Sequence, residues 1–507
     1  MKVKRRTICQ TCRKRKISCD GEKPGCSQCV FRDLRCPGYE SEWTFVSHNT
    51  DRNGSKTDAP AVHKRALRPG SVAVMRRNRG GALATIPRSP TNSLTMPLDH
   101  LIMLIVRAYA PESRMERALS DGGFDEPDPR FCGAWVESLP DLVANGGSPA
   151  LNSAINAFAV SILCVGPKRT APVSKGREAY SLALRSLRTE LQGATASMSI
   201  PDQLAATIMC LLMAEFILPT SLLSWTAHLN GFGQLIQSTR PELYVSGIAY
   251  RIFVGARPAL IALGFIIRKA SFLATDKWLR IPFRLVPPSP VQRLMTEAAG
   301  IPPILERLDI AEATCREAAV AAVRKALPEF VGRLDALEEW ERQYQTTSHS
   351  PRFWTVPANI GKRPHIWFQN ISSANSLTHL WAFKTICLAS IDNLASSYPE
   401  VQFDRKPLKC RTPAGSIFRE NLERSIWICQ SVEYLLQDEL RLFGPTSIAL
   451  PLRTAYDIFE AGGSESKDEL DWCVSIIADL ARRGFRWVPL FFERFQSQIT
   501  DTNDDFE

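Results

Sequence analysis

The chain has 507 residues, of which 45% are apolar and 22% charged, with a formal charge of +10. Those proportions exclude a wholly disordered, fibrous or membrane-embedded chain and leave about three domains' worth of material. The charge is polarised: the first 90 residues hold 20 Lys and Arg against 7 Asp and Glu, and the other 417 carry a net −3. A basic head on a near-neutral body points to an N-terminus that binds a polyanion.

Met1-Lys2-Val3-Lys4-Arg5-Arg6 has the charge of a leader peptide, but a cysteine-rich basic run follows it instead of an apolar stretch. The most apolar internal stretches are Leu204 to Pro219, interrupted by Glu215, and Pro258 to Ile267. Both fall short of the roughly 20 residues that span a bilayer and read as buried core helices. No membrane partner is expected. The expected compartment is reducing, without structural disulfides.

Six of the 14 cysteines lie in the first 36 residues. Cys9, Cys12 and Cys19 have the spacing C-x2-C-x6-C, and Cys26, Cys29 and Cys36 repeat it 17 residues later. This is an internal duplication of a metal-binding half. Three disulfides would suit a small secreted domain. A single tetrahedral zinc would leave two thiols unused. Two zinc ions need eight ligand positions, which six thiolates supply when two of them bridge both metals. No histidine precedes His48, so the thiols act without one. The two-zinc reading fits best. The other eight cysteines, at 132, 164, 210, 315, 387, 410, 429 and 473, show no ligand spacing and read as small buried hydrophobes.

The run Cys9-Gln10-Thr11-Cys12-Arg13-Lys14-Arg15-Lys16-Ile17-Ser18-Cys19, continued to Cys36 with Asp20 and Pro24, resembles the fungal Zn2Cys6 binuclear cluster of zinc-dependent transcription factors. The resemblance implies that Cys9 and Cys26 are the bridging pair. It also implies recognition of CGG-like triplets in double-stranded DNA, with Arg15 and Lys16 nearest the bases and Arg13 and Lys14 on phosphate or in structural contacts. Ser18 departs from the pattern, which usually carries a cation before the third cysteine.

Physical chemistry accounts for such a module. About 30 residues cannot bury enough apolar surface to fold alone, and Ile8, Ile17, Val30, Phe31 and Leu34 are nearly all the hydrophobes present. Zinc–thiolate bonds supply the folding energy, on the order of 10 kcal/mol per site in peptide systems. Two Zn2+ ions and six thiolates leave net negative charge, which neighbouring Lys and Arg offset. Arg13-Lys14-Arg15-Lys16 in the first half suits a short helix in the major groove, where guanine O6 and N7 both accept. Val30-Phe31-Arg32-Asp33-Leu34-Arg35 in the second half suits a packed support. The basic run also fits a nuclear import signal.

The expected organisation is a cluster domain over residues 8–38, a flexible basic linker over 39–97, and a large all-α regulatory domain over 98–500. The linker is rich in Asn, Ser, Gly, Pro and Arg and lacks a heptad run, so any homodimer is expected through the helical body. Helices are predicted at Leu98 to Tyr109, Leu142 to Val165, Lys175 to Gln192, Pro201 to Leu218 and Ser221 to Ser238. More are predicted at Ala311 to Ala326, Leu334 to Tyr344, Ser373 to Ser397, Ile417 to Leu436, Ser447 to Ala461 and Asp468 to Arg482. Tyr180, Leu184, Leu187 and Leu191 form the expected apolar stripe of one helix. Glu178-Ala179-Tyr180, Leu211-Leu212 and Trp225-Thr226-Ala227-His228-Leu229-Asn230-Gly231 resemble the fungal-specific transcription factor domain, which implies a regulatory body that meets coregulators or a metabolite.

No P-loop, G-x-G-x-x-G, H-E-x-x-H or G-x-S-x-G motif occurs, and no catalytic residue is assigned. His228 reads as a packed or capping histidine, the tryptophans as core, and the acidic end at Asp501, Asp504, Asp505 and Glu507 as a frayed terminus. The expectation is a non-enzymatic, sequence-specific regulator of RNA polymerase II transcription that acts in the nucleus. The rivals are a cluster used for protein contacts and an enzyme with an appended DNA-binding cluster.

Overall fold

The computed structural model describes residues 12, 29, 96–109, 132–165, 170–193, 201–221, 224–348, 350–357, 363–403, 416–440 and 442–492. The chain divides into two compact units, residues 1–91 and 92–507. In the first unit Cys12 and Cys29 are described, and both are helical. The predicted linker lies outside the described residues except for Met96 and Pro97.

The second unit is helical. Helix α1, Leu98–Tyr109, buries Leu101, Ile102, Ile105 and Tyr109 along one face. A 3-10 segment at Cys132–Ser138 leads into α2, Leu139–Ala144, and α3 follows at Pro149–Val165. One helix was expected over α2 and α3. Gly146 breaks it with φ +83°, a conformation that L side chains rarely adopt. The amide N–H of Leu151 then donates to Ser148 Oγ at 3.1 Å, and Pro149 opens the next helix.

Helix α4, Val173–Gly193, packs on α3 through a face that shares Tyr180 and Leu187 with the predicted stripe but not Leu184 and Leu191. Gly176, Ala179, Tyr180 and Ala183 face inward, while Leu184 is 37% and Leu191 55% exposed. Close approach decides the face: a Cβ on Gly176 would stand 2.4 Å from Leu218 Cδ1 and 3.1 Å from Cys164 Sγ. The small residues carry the closest contact, with Tyr180 and the half-buried Leu187 of the stripe beside them, while Leu184 and Leu191 stay exposed.

Helices α5, Pro201–Ile217, and α6, Ser224–Ser238, match their predicted spans to within three residues at each end. Helix α7, Gly247–Ile266, begins 11 residues before the apolar run that announced it and spans 20 residues. It is long and apolar enough to cross a membrane, yet it buries Tyr250, Phe253, Leu260 and the charged Arg257 inside the protein. Helices α8, Asp276–Arg280, α9, Pro290–Ala298, and α10, Pro302–Thr314, come next.

Helix α11 runs from Arg316 to Thr346. The predicted helix over Ala311 to Ala326 is divided at Cys315, whose backbone is extended at φ −170° and ψ 166°. Its Sγ accepts from the Ala318 N–H at 3.4 Å, so a thiol caps the helix where Ser, Thr, Asp or Asn is the usual signal. The predicted gap after Ala326 closes, because Pro328 is accommodated within α11.

Strands β1, Phe353–Val356, and β2, His365–Phe368, form an antiparallel pair that the all-α expectation did not include. Phe353 lies opposite Phe368, and both rings meet Trp381 of helix α12, Ile371–Ser397. The last helices among the described residues are α13, Ile417–Gln430, α14, Val432–Leu435, α15, Phe443–Ser447, α16, Ala449–Ala461, α17, Lys467–Arg482, and α18, Trp487–Phe492. A continuous apolar core joins α1 to α18. Most tryptophans described fill it: Trp135 and Trp278 are fully buried, whereas Trp354 on β1 is half exposed.

Candidate zinc cluster and DNA interface

The duplicated spacing makes Cys12 and Cys29 counterparts, the second cysteine of each half. Their environments match: both are helical, at 0% and 1% exposure. Two thiols buried at equivalent points in a segment so poor in hydrophobes fit a shared thiolate cluster. The donor chemistry agrees, because zinc takes thiolate sulfur and the segment offers six. Cys9, Cys19, Cys26 and Cys36 lie outside the described residues, as do Arg13, Lys14, Arg15 and Lys16.

The cysteines of the second unit behave as sequence suggested, with two exceptions. Cys164, Cys210, Cys387, Cys429 and Cys473 are buried, Cys132 is half-buried, and the capping Cys315 is exposed. Cys410 lies outside the described residues. Burial pushes the Cys132 thiol up to about 11 and the Cys387 thiol up to about 12, which keeps both protonated and poor as metal ligands. Among the described residues no three His, Cys, Asp or Glu side chains are grouped to hold a metal ion.

Two of the motif segments of the body, Glu178-Ala179-Tyr180 and the one that holds His228, meet at one junction. Tyr180 of α4 and His228 of α6 share a hydrogen bond of 2.6 Å between the phenol oxygen and Nε2. Glu215 of α5 is 1% exposed and accepts from Thr220 N and Oγ1 at 2.9 and 2.6 Å and from Ser224 Oγ at 2.6 Å. Burial holds the His228 imidazole below its ordinary range, with the negative charge of Glu215 opposing. Burial, and then the same charge, push the Tyr180 phenol up. His228 is therefore a packed histidine that ties α4 to α6. Glu215 was visible in the sequence only as an interruption of an apolar run; a lone carboxylate in such a run is the signal for a buried polar hub.

Three further polar residues had no sequence signal. Arg257 and Gln292 are both fully buried, and His379 is 8% exposed. Arg257 sits in an apolar helix, and His379 in a helix with no polar stripe, so nothing in the periodicity marked them.

The family described as the fungal Zn(2)-Cys(6) binuclear cluster domain matches residues 7–42, and such a domain binds zinc. A protein of Schizosaccharomyces pombe, described as an uncharacterized transcriptional regulatory protein, is 46% identical over 41 residues, 8% of this chain and 4% of that protein. The transcription regulator lscL of Purpureocillium lilacinum is 34% identical over 69 residues, 13% of this chain and 16% of its own. The chain thus covers less than a fifth of the length of either relative. No solved structure matches it.

Proposed function

We propose that this protein is a zinc-dependent, sequence-specific DNA-binding regulator of RNA polymerase II transcription that acts in the nucleus and has no catalytic activity of its own. The observation that carries the reading is the duplicated C-x2-C-x6-C unit with four consecutive cations, Arg13 to Lys16, inside its first half. Cys9, Cys12, Cys19, Cys26, Cys29 and Cys36 would hold two zinc ions, with Cys9 and Cys26 bridging. The metal supplies the folding energy that the segment's few hydrophobes lack.

In this reading the first half presents a short helix to the major groove of double-stranded DNA. Arg15 and Lys16 reach guanine edges of CGG-like triplets, and Arg13 and Lys14 neutralise phosphates. Residues 39–97 act as a flexible tether. The helical body meets coregulators and provides any homodimer contact. The family match at residues 7–42 and the names of both relatives support this reading. So does the concentration of positive charge in the first 90 residues.

The test is a binding titration of the full chain on a labelled duplex carrying CGG triplets and on a scrambled duplex of equal length. Tighter binding to the CGG duplex, lost on zinc chelation, is expected. Equal binding to both would remove the sequence-specific part. No binding at physiological salt would leave the cluster to protein contacts.

A further inference from the structure

Helix α4 carries a second ordered face, turned away from α3. Arg177, Leu184, Arg188 and Leu191 follow one another at spacings of seven, four and three, so they form one stripe along the outside of the helix. At about 1.5 Å per residue the stripe is about 21 Å long. All four residues are exposed, and so is Arg185 beside them. Lys175 is paired with Glu178 at 2.9 Å, whereas Arg177, Arg185 and Arg188 have no carboxylate partner among the described residues.

Two exposed leucines among three unpaired cations fit an apolar segment that carries carboxylates. A second copy of α4 would set its own arginines against the stripe, and like charges in contact are destabilising. A segment of the required kind lies in this chain. Residues 493–507 hold five acidic residues against one basic, and their large apolar residues are Phe495, Ile499 and Phe506. Ile499 and Phe506 are seven positions apart, as are Leu184 and Leu191. Written as a helix, Phe495, Ile499 and Phe506 share one face, with Asp501, Asp504, Asp505 and Glu507 outside it.

The segment also starts within reach. Gly484, between α17 and α18, and Gly176, in the first turn of α4, both abut the end of α3. A Cβ on Gly484 would stand 3.1 Å from Val165 Cβ, and one on Gly176 would stand 3.1 Å from Cys164 Sγ. Helix α18 closes at Phe492, eight residues after Gly484. Fifteen residues extend up to about 50 Å, enough to run the whole stripe. We propose that residues 493–507 dock as an amphipathic helix on the outer face of α4, with Ile499 against Leu184, Phe506 against Leu191 and the carboxylates beside Arg177, Arg185 and Arg188. The contact covers an interaction surface of the body from within the chain, so an acidic, apolar helix of another protein has to displace it. The inference is independent of the zinc cluster.

The test uses full-length chains and a fluorescein-labelled peptide of residues 493–507, with binding read by fluorescence anisotropy. The double variant Ile499→Asp, Phe506→Asp should free α4 and bind the peptide saturably at one equivalent. The natural chain should bind it at least about tenfold more weakly, because its own segment competes at an effective concentration on the order of 1 mM. Adding Leu184→Ser and Leu191→Ser to the freed chain should weaken the peptide about tenfold, and so should Arg185→Glu with Arg188→Glu. No saturable binding, equal binding to freed and natural chains, equal binding of a scrambled peptide of the same composition, or binding untouched by the α4 substitutions would overturn the proposal. The contact within the natural chain is read directly by replacing Phe506 with the photocrosslinker p-benzoylphenylalanine. Crosslinks to residues 173–193 of the same chain support the proposal, and crosslinks only elsewhere, only to a second copy, or none overturn it.

Discussion

The guanidinium of Arg257 donates twice to Gln292, from Nη1 to the backbone oxygen at 2.8 Å and to Oε1 at 2.9 Å, and both residues are fully buried. The cation also reaches Thr296 Oγ1 at 3.0 Å and lies over the Phe283 ring, yet no carboxylate pairs with it among the described residues. Burial holds its pKa down at about 10, so it stays charged at neutral pH and is stabilised by neutral acceptors and the Phe283 ring. Gln292 in turn donates from Nε2 to Val254 O at 3.0 Å. Gln292→Leu removes one acceptor from a buried cation and leaves Val254 O unpaired, so it should destabilise the body by about 1–3 kcal/mol. Arg257→Met removes the desolvated charge together with its demand for partners and should cost less. Urea midpoints of the two variants check the ranking, and the reverse order would refute the view that Gln292 exists to compensate Arg257.

The buried His379 makes stability depend on pH in a fixed direction. Its folded pKa of about 4 lies below the ordinary value of 6.5. As pH falls through 6.5, the unfolded chain takes up a proton at this ring that the folded chain refuses. Stability is then lost down to about pH 4, by about 3 kcal/mol in all. His379→Leu should remove this component. Carboxylate titration is common to both proteins, so the stability difference between natural chain and variant isolates the histidine. A difference constant from pH 7 to pH 4 would show that the ring is not held neutral.

What the sequence revealed and what it hid follow from the physics involved. The cluster domain at residues 7–42 was legible because cysteine spacing is local and the duplication left one half as a check on the other. Long helices such as α1, α5 and α12 were legible because propensity and apolar runs agree over many residues. The inward face of α4 was read only in part: Tyr180 and Leu187 lie on it, but its closest contact rests on Gly176, Ala179 and Ala183, whose value is their smallness against α3 and Leu218, a tertiary fact. The hairpin was missed because each strand has four residues and gains its partner across a connection that no short turn motif marks. Cys315 escaped notice as a helix cap because thiols seldom serve as one.

Zinc should be a folding requirement for the head and not for the body. The core of the second unit is continuous and apolar, and no metal-holding group was found among its described residues. The head relies on thiolates. Strong chelation should therefore abolish DNA binding while leaving the far-ultraviolet circular dichroism and the unfolding midpoint of the body unchanged. Cys12→Ala and Cys29→Ala should each reproduce the loss of DNA binding, because both thiols are buried at equivalent points. DNA binding that survives complete metal removal, verified by elemental analysis, would contradict this.

The two halves of the cluster should be unequal on DNA although their cysteines are spaced alike. Arg15→Ala and Lys16→Ala should each remove base contacts worth about 1–3 kcal/mol and relax the choice of sequence. Arg13→Ala and Lys14→Ala should weaken binding to every duplex alike and reduce the slope of log affinity against log salt by about one unit per lost phosphate contact. Arg32→Ala and Arg35→Ala should do less, because Phe31 and Leu34 beside them mark the second half as the packed support. Ser18→Lys should raise affinity at low salt by restoring a cation before the third cysteine. One binding series across these variants, on CGG and scrambled duplexes at several salt concentrations, separates the roles. If Arg32 and Arg35 governed sequence choice more than Arg15 and Lys16, the reading half would be the second one, and the assignment of residues 13–16 to the major groove would fall.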